Sequence, residues 1–135
     1  MYIIIIGSGR LGRMLSEELS DAGHNVSVVD RDSKRLEALG SGFNGLSVKG
    51  VEYDNAVLKE AGITHADFLI SVTSDDNLNI TVSLAAKEIF KVPSVIARVN
   101  EPQKKSVYEL LKIEMINPTE LISYVIKNKV EGSQR

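Results

Sequence analysis

The sequence contains no cysteine. Without a thiol there is no disulfide framework, no thiolate metal site and no cysteine nucleophile, and an intracellular setting is compatible with that absence. Lys and Arg do not exceed Asp and Glu: the formal net charge is -2 and the pI is near 5.7. A nucleic-acid partner held by a basic surface is therefore not expected, because phosphate affinity comes mainly from clustered cations. The most apolar stretch, Tyr2 to Ile6, is far shorter than the ~20 residues of a bilayer span. It also lacks the basic lead and long apolar region of a secretion signal. Only two histidines are present, and they do not form a pair with metal-ligand spacing. No Ser/His/Asp order is visible either, so catalytic groups are scarce.

The 135 residues fit one domain and leave no room for a separate substrate domain. Hydrophobic residues make up 43% and charged residues 25%, the balance of a globular chain with a core. Ile3 to Ile6 run without polar alternation, as expected for a central parallel strand covered by helices on both faces. Further β-branched runs follow at Val26 to Val29, Leu46 to Lys49, Phe68 to Val72, Val95 to Arg98 and Ile113 to Ile116. Segments with helical spacing lie between them. Six strands alternating with helices predict an α/β fold: a Rossmann-type, doubly wound, six-stranded parallel sheet with helices on both faces.

The first strand leads into Gly7-Ser8-Gly9-Arg10-Leu11-Gly12, a G-x-G-x-x-G that opens a helix. In a dinucleotide fold the first Gly makes the tight turn, the second admits a pyrophosphate to the backbone, and the third lets helix and strand pack closely. The helix N-terminus then offers free N–H groups to phosphates. Asp30 closes the second strand where an acid accepting from ribose hydroxyls belongs. Its charge disfavours the 2′-phosphate of NADP and favours NAD or a simple adenine nucleotide. Arg31 follows, either beside the ribose, pairing with phosphate or stacking on adenine, or as a solvated charge in the turn. Asp32 or Ser33 is placed to cap the next helix.

Ligands of such sheets lie beyond the carboxyl ends of the strands, and those ends are polar here. Gly50-Val51-Glu52 follows the third strand. Thr73, Ser74 and Asp75 follow the fourth, ahead of Asp76 and Asn79, and either cap the next helix or line ribose and phosphates. Asp75 and Asp76 lack a third ligand for a cation. Arg98 ends the fifth strand as a phosphate contact, a subunit contact or a surface ion pair. His24 and His65 fall in turns at the opposite edge. After Pro118, residues Leu121, Ile122, Val125, Ile126 and Val130 form a wide apolar stripe, destined for the chain's own sheet or for a partner subunit.

In these motifs and their order the chain resembles the RCK family, also called the TrkA-N or KTN domain, across residues 1 to 130. The shared features are Gly7 to Gly12 with Arg10, the Val28 to Asp32 strand end, Gly50, Leu58 to Ile63, Ala66-Asp67, Thr73 to Asn79, Ile96-Ala97-Arg98 and Ile116-Asn117-Pro118. The resemblance implies a regulatory, non-catalytic subunit that binds NAD, NADH, ATP, ADP or AMP and gates K⁺ uptake through a membrane-embedded potassium transporter or channel subunit. It further implies a cytoplasmic location at the inner face of the membrane, and homodimers assembling into octameric rings that exchange the terminal helix. The family's smaller C-terminal ligand domain would lie on a separate chain or have been removed. On this reading residues 1 to 131 form the nucleotide-binding domain with its crossover helix, and 132 to 135 a disordered tail. Arg10 would reach terminal phosphates. In one departure Val51 stands where the family carries the Asp near adenine, leaving Glu52 as the nearest acid. Two other readings are a small NAD-dependent oxidoreductase, or the cofactor half of one, and an assembly module whose nucleotide pocket has degenerated.

Overall fold

The computed structural model describes residues 1–133. Six parallel strands, β1 (Tyr2–Ile6), β2 (Asn25–Asp30), β3 (Leu46–Lys49), β4 (Phe68–Ser71), β5 (Ser94–Arg98) and β6 (Glu114–Ile116), form one sheet in the order β3-β2-β1-β4-β5-β6. The expected strands are all present, with ends displaced by a residue or so. The connecting helices are α1 (Arg10–Asp21), α2 (Ser33–Glu37), α3 (Asn55–Glu60), α4 (Asp76–Leu84), α5 (Lys105–Leu110) and α6 (Pro118–Gly132). The strand order reverses at β1, so the crevice between the β1 and β4 ends is the switch point where ligands of this architecture bind.

The all-isoleucine strand follows from its position. Ile5 pairs in register with Val28 of β2 and Ile70 of β4. Ile3 and Ile5 join Val26, Val28 and Leu39 on one face, against Leu15 and Leu19 of α1 and Leu36 of α2. On the other face Ile4 and Ile6 join Val29, Val48 and Leu69, against Leu58 of α3 and Val82 of α4. Each fully buried side chain of this kind contributes on the order of 1.5 to 3 kcal/mol relative to an exposed one. A smaller cluster of Ala97, Val99, Tyr108 and Ile113 packs α5 onto the β5–β6 side.

One feature falls outside the expected pattern, and one open alternative is decided. Helix α4 continues as a π-helical turn over Ala85–Ile89. Helix α6 does not fold back onto its own sheet, since every residue from Thr119 to Ser133 is exposed, including Leu121, Ile122, Val125, Ile126 and Val130. At its root an apolar groove of about 440 Å³ runs between Leu11 and Leu15 of α1, Ile70, Ile96 and Ile116 of the strands, and Leu121 and Ile122. Helix α6 extends to Gly132 with Ser133 as its C-cap, so it enters the stretch expected to be a tail. Residues 134 and 135 of that expected tail lie outside the described residues.

Candidate functional site

The three glycines of the loop occupy three different environments. Gly7 takes φ 97° and donates its N–H to the Val29 carbonyl at 2.9 Å. A Cβ there would meet Thr73 Cγ2 at 2.9 Å. At Gly12 a Cβ would collide with the Gly7 carbonyl, so this position has to lack a side chain for α1 to pack on β1. Gly9 is open: nothing lies within 4 Å of where its Cβ would be. It is the N-cap of α1, and among the described residues no side chain caps that helix. The unmatched N–H groups of the first turn and the bare Gly9 backbone therefore form an anion-accepting surface at the carboxyl edge of the sheet. Arg10 is exposed beside it, and Leu11 turns toward the apolar groove.

Asp30 reaches the same edge but faces inward. It is 1% exposed. Its Oδ2 accepts from Ser8 N at 2.9 Å and Ser8 Oγ at 3.0 Å, and its Oδ1 accepts from Asp32 N at 2.9 Å. The carboxylate thus fixes the Gly-rich loop to the end of β2. Asp32 caps α2 by accepting from Lys34 N, which holds its own carboxyl below the usual range.

Arg31 is neither free nor simply solvated. Its Nε donates to Glu52 Oε1 at 2.8 Å and its backbone N–H to Glu52 Oε2 at 3.1 Å, and the Glu52 carboxylate raises the pKa of the guanidinium. Glu52 is 2% exposed. It anchors Arg31 from below, while its neighbours Val51 and Tyr53 are exposed. Gly50 packs under Val57 and donates its N–H to the Asp30 carbonyl.

Beyond β4, Asp75 caps α4 through Leu78 N and Ser74 is exposed. Asn79 is wholly buried and does not line the edge. Its Oδ1 accepts from Ser71 Oγ at 2.8 Å, Thr73 N at 3.1 Å and Thr73 Oγ1 at 2.7 Å, and its Nδ2 donates to the carbonyls of Thr73 and Arg98, both at 3.0 Å. It clasps the ends of β4 and β5 together. Arg98 lends this network its carbonyl, but its side chain lines the apolar groove under α6. There its Nε is buried with no hydrogen-bond partner, and Arg98 makes no ion pair among the described residues. Shallow hollows adjoin the edge, one of about 360 Å³ lined by Arg31, Tyr53, Asp75, Asn77, Leu78 and Thr81. Another, of about 440 Å³, opens at the opposite edge beside Tyr2 and His24, far from the N-terminus of α1.

The structural roles of several further residues were not legible in the sequence. Asp76 is buried and accepts from Asn100 N at 2.7 Å, Glu101 N at 2.9 Å and the Tyr108 hydroxyl at 3.1 Å. Burial pushes its pKa up, but these donors outweigh burial and hold it below the usual carboxylate range. Tyr108 and Lys112 stand at the spacing of a catalytic Tyr-x-x-x-Lys pair. The Tyr108 hydroxyl, however, is spent on the Arg98 carbonyl at 2.9 Å and on Asp76. Burial and then the Asp76 charge drive its pKa far above the ordinary value, which is wrong for proton transfer near neutrality. Asn117 donates to the Val99 carbonyl at 3.0 Å and caps α6 through Glu120 N at 2.8 Å, tying the root of α6 to β5.

Residues 3–118 match the TrkA-N domain. Among curated relatives, the Trk system potassium uptake protein TrkA of Streptomyces coelicolor is 41% identical over 116 residues, covering 86% of this chain and 52% of that protein. The TrkA homolog of Pyrococcus abyssi is 33% identical over 112 residues, covering 83% and 49%. The chain spans about half the length of these relatives. Of solved structures, the TrkA-N domain of the Escherichia coli inner membrane protein ybaL superposes with a TM-score of 0.84 at 16% identity, covering 94% of each chain. The Kef C-terminal domain of Shewanella denitrificans in its AMP-bound form gives 0.76 at 20% identity, covering 99% of this chain and 80% of that one. The GsuK channel bound to NAD gives 0.73 at 23%, covering 85% and 21%. These structural likenesses share the parallel sheet described above. The match across most of the chain and the identity to the Streptomyces protein show that the chain belongs to the TrkA-N domain family.

Proposed function

We propose that this chain is a nucleotide-binding regulatory domain of a potassium transport system, and that an adenine nucleotide at the carboxyl edge of the sheet governs K⁺ uptake through a membrane-embedded partner. The observation that carries the reading is the Gly7–Gly12 loop: Gly9 has open space at its Cβ position beside an uncapped helix N-terminus, and the loop is fixed to Asp30. Phosphates sit on that terminus, Arg10 reaches the outermost of them, and the ribose faces the end of β2. NAD, NADH, ATP, ADP and AMP are the candidate ligands. NADP is disfavoured by the Asp30 charge.

Regulation rather than catalysis is supported by the names of the curated relatives, which are potassium uptake proteins, and by neighbours named for NAD-bound and AMP-bound states. The partner would be a transporter or channel subunit, with the domain on the cytoplasmic face of the membrane. Ligand control requires two conformations of unequal nucleotide affinity. Helix α6 is the element through which two copies pair, since its apolar stripe is otherwise exposed and a patch of that kind marks a protein interface.

Rubidium uptake in cells expressing the chain with its transporter tests the reading. Uptake by the wild-type protein should depend on the chain and be altered by Asp30→Ala. Equal uptake with and without the chain, under conditions where the transporter is active, would refute it.

A further inference from the structure

We infer that Ser8 is a specificity-determining residue that occupies the ribose-accepting carboxylate from within, and so sets how strongly the site distinguishes a ribose from a 2′-deoxyribose. The inference rests on the nucleotide reading of the Gly-rich edge. A carboxylate offers about four acceptor positions. In Asp30 three are filled among the described residues: Ser8 N and Ser8 Oγ on Oδ2, and Asp32 N on Oδ1, while Arg35 Nη1 stands 3.8 Å from Oδ2, beyond hydrogen-bond distance. The two backbone donors are fixed by the course of the loop and of the turn into α2. The Ser8 hydroxyl is the one donor free to rotate away, and it is wholly buried against Asp30.

A ribose presents two vicinal hydroxyls, and the fourth acceptor position, on Oδ1, has no donor among the described residues. Because Asp30 is buried, the ribose reaches it only as the surrounding turn yields, and the first hydroxyl then takes that position without displacing a donor. The second binds only if Ser8 Oγ gives up its bond, so the exchange gains almost nothing. The wild-type site should therefore bind ADP and 2′-deoxy-ADP almost equally, although it carries the acid that ordinarily selects ribose. Ser8→Ala vacates the fourth position and keeps the Ser8 backbone bond to Asp30. The second hydroxyl then makes a net new bond.

Calorimetric titration of the full chain with ADP and 2′-deoxy-ADP tests this. In the wild type the two affinities should agree within about threefold. In Ser8→Ala, ADP should bind roughly five to tenfold tighter, the scale of one hydrogen bond, with 2′-deoxy-ADP changed by less than about twofold. Ser8→Gly removes the same hydroxyl without adding a methyl group and should give the same pattern if the alanine variant is unstable. Equal changes for both nucleotides, or weaker ADP binding in both variants, would overturn the inference. Absence of ADP binding to the wild-type protein would overturn it as well, and if NAD also fails to bind, the nucleotide reading falls with it.

Discussion

Replacing each of two loop glycines separates folding from binding. Gly12 lies inside α1, where Ala is favoured over Gly by up to ~1 kcal/mol, so propensity alone would make Gly12→Ala stabilising. The new Cβ, however, would fall on the Gly7 carbonyl oxygen and 2.9 Å from the carbonyl carbon. Neither group yields easily, because Gly7 is tied by its N–H to Val29 and packed against Thr73. Overpacking of this kind costs about 1 to 3 kcal/mol or more. With the backbone unable to relax, the steric cost wins, and Gly12→Ala should be destabilised by roughly 2 kcal/mol net. That corresponds to a fall of about 6 to 10 °C in melting temperature for a domain of this size. Gly9→Val behaves differently. Gly9 has φ -71° and ψ -165°, which any L-residue adopts, and open space where its Cβ would be. Its stability should stay within ~1 kcal/mol of wild type, while nucleotide affinity falls at least tenfold because the side chain fills the approach to the backbone. Thermal melts and calorimetric titration of the two variants are the assay. Equal destabilisation in both, or normal nucleotide affinity in a folded Gly9→Val, would refute the division of roles.

Stability should depend on pH at both extremes through one buried pair. The Asp76 carboxyl is held below its ordinary value, so its contribution is present above pH ~4 and is lost as the pH falls through the folded value; denaturant melts of Asp76→Asn should show a shallower acid limb. The Tyr108 phenol is raised, so its contribution is complete below pH ~10 and is lost above it, and Tyr108→Phe should flatten the alkaline limb. Because Asn79 satisfies five groups at the ends of β4 and β5, Asn79→Leu should cost about 3 kcal/mol or more in a urea melt; a change under ~1 kcal/mol would show that the clasp carries little of the stability. Ile122→Glu with Ile126→Glu, both on exposed positions of α6, should leave the melting temperature of the Rossmann body unchanged and convert a dimer to monomer in sedimentation. An unchanged mass would exclude α6 from the interface.

Much of the fold could be read from periodicity. The unbroken Ile3–Ile6 run requires cover on both faces, and β1 has it because β2 and β4 flank it in the sheet. The glycine spacing similarly anticipated three different environments at Gly7, Gly9 and Gly12. Side-chain direction at the strand ends was not legible, because it depends on tertiary partners rather than on local pattern. Glu52 resembles a ligand-facing acid until its two bonds to Arg31 are known. Asn79 and Arg98 sit at the expected edge, yet the first turns into the core and the second into the groove beneath α6. The stripe on α6 was visible, but a stripe reads the same whether it covers its own sheet or another chain's. Lys91 and Lys112 take φ 55° and 56° at helix ends where the sequence offers no glycine to announce the turn.

The most direct test of the account is calorimetric titration of the wild-type chain and of Asp30→Ala with NAD, NADH, ATP, ADP and AMP. The account predicts saturable 1:1 binding of at least one of them to the wild type. It also predicts affinity lower by roughly tenfold to a hundredfold in Asp30→Ala, the cost of losing hydrogen bonds to a charged acceptor, with the circular dichroism of the variant unchanged. No binding by any of the five, or equal binding to both proteins, would contradict it.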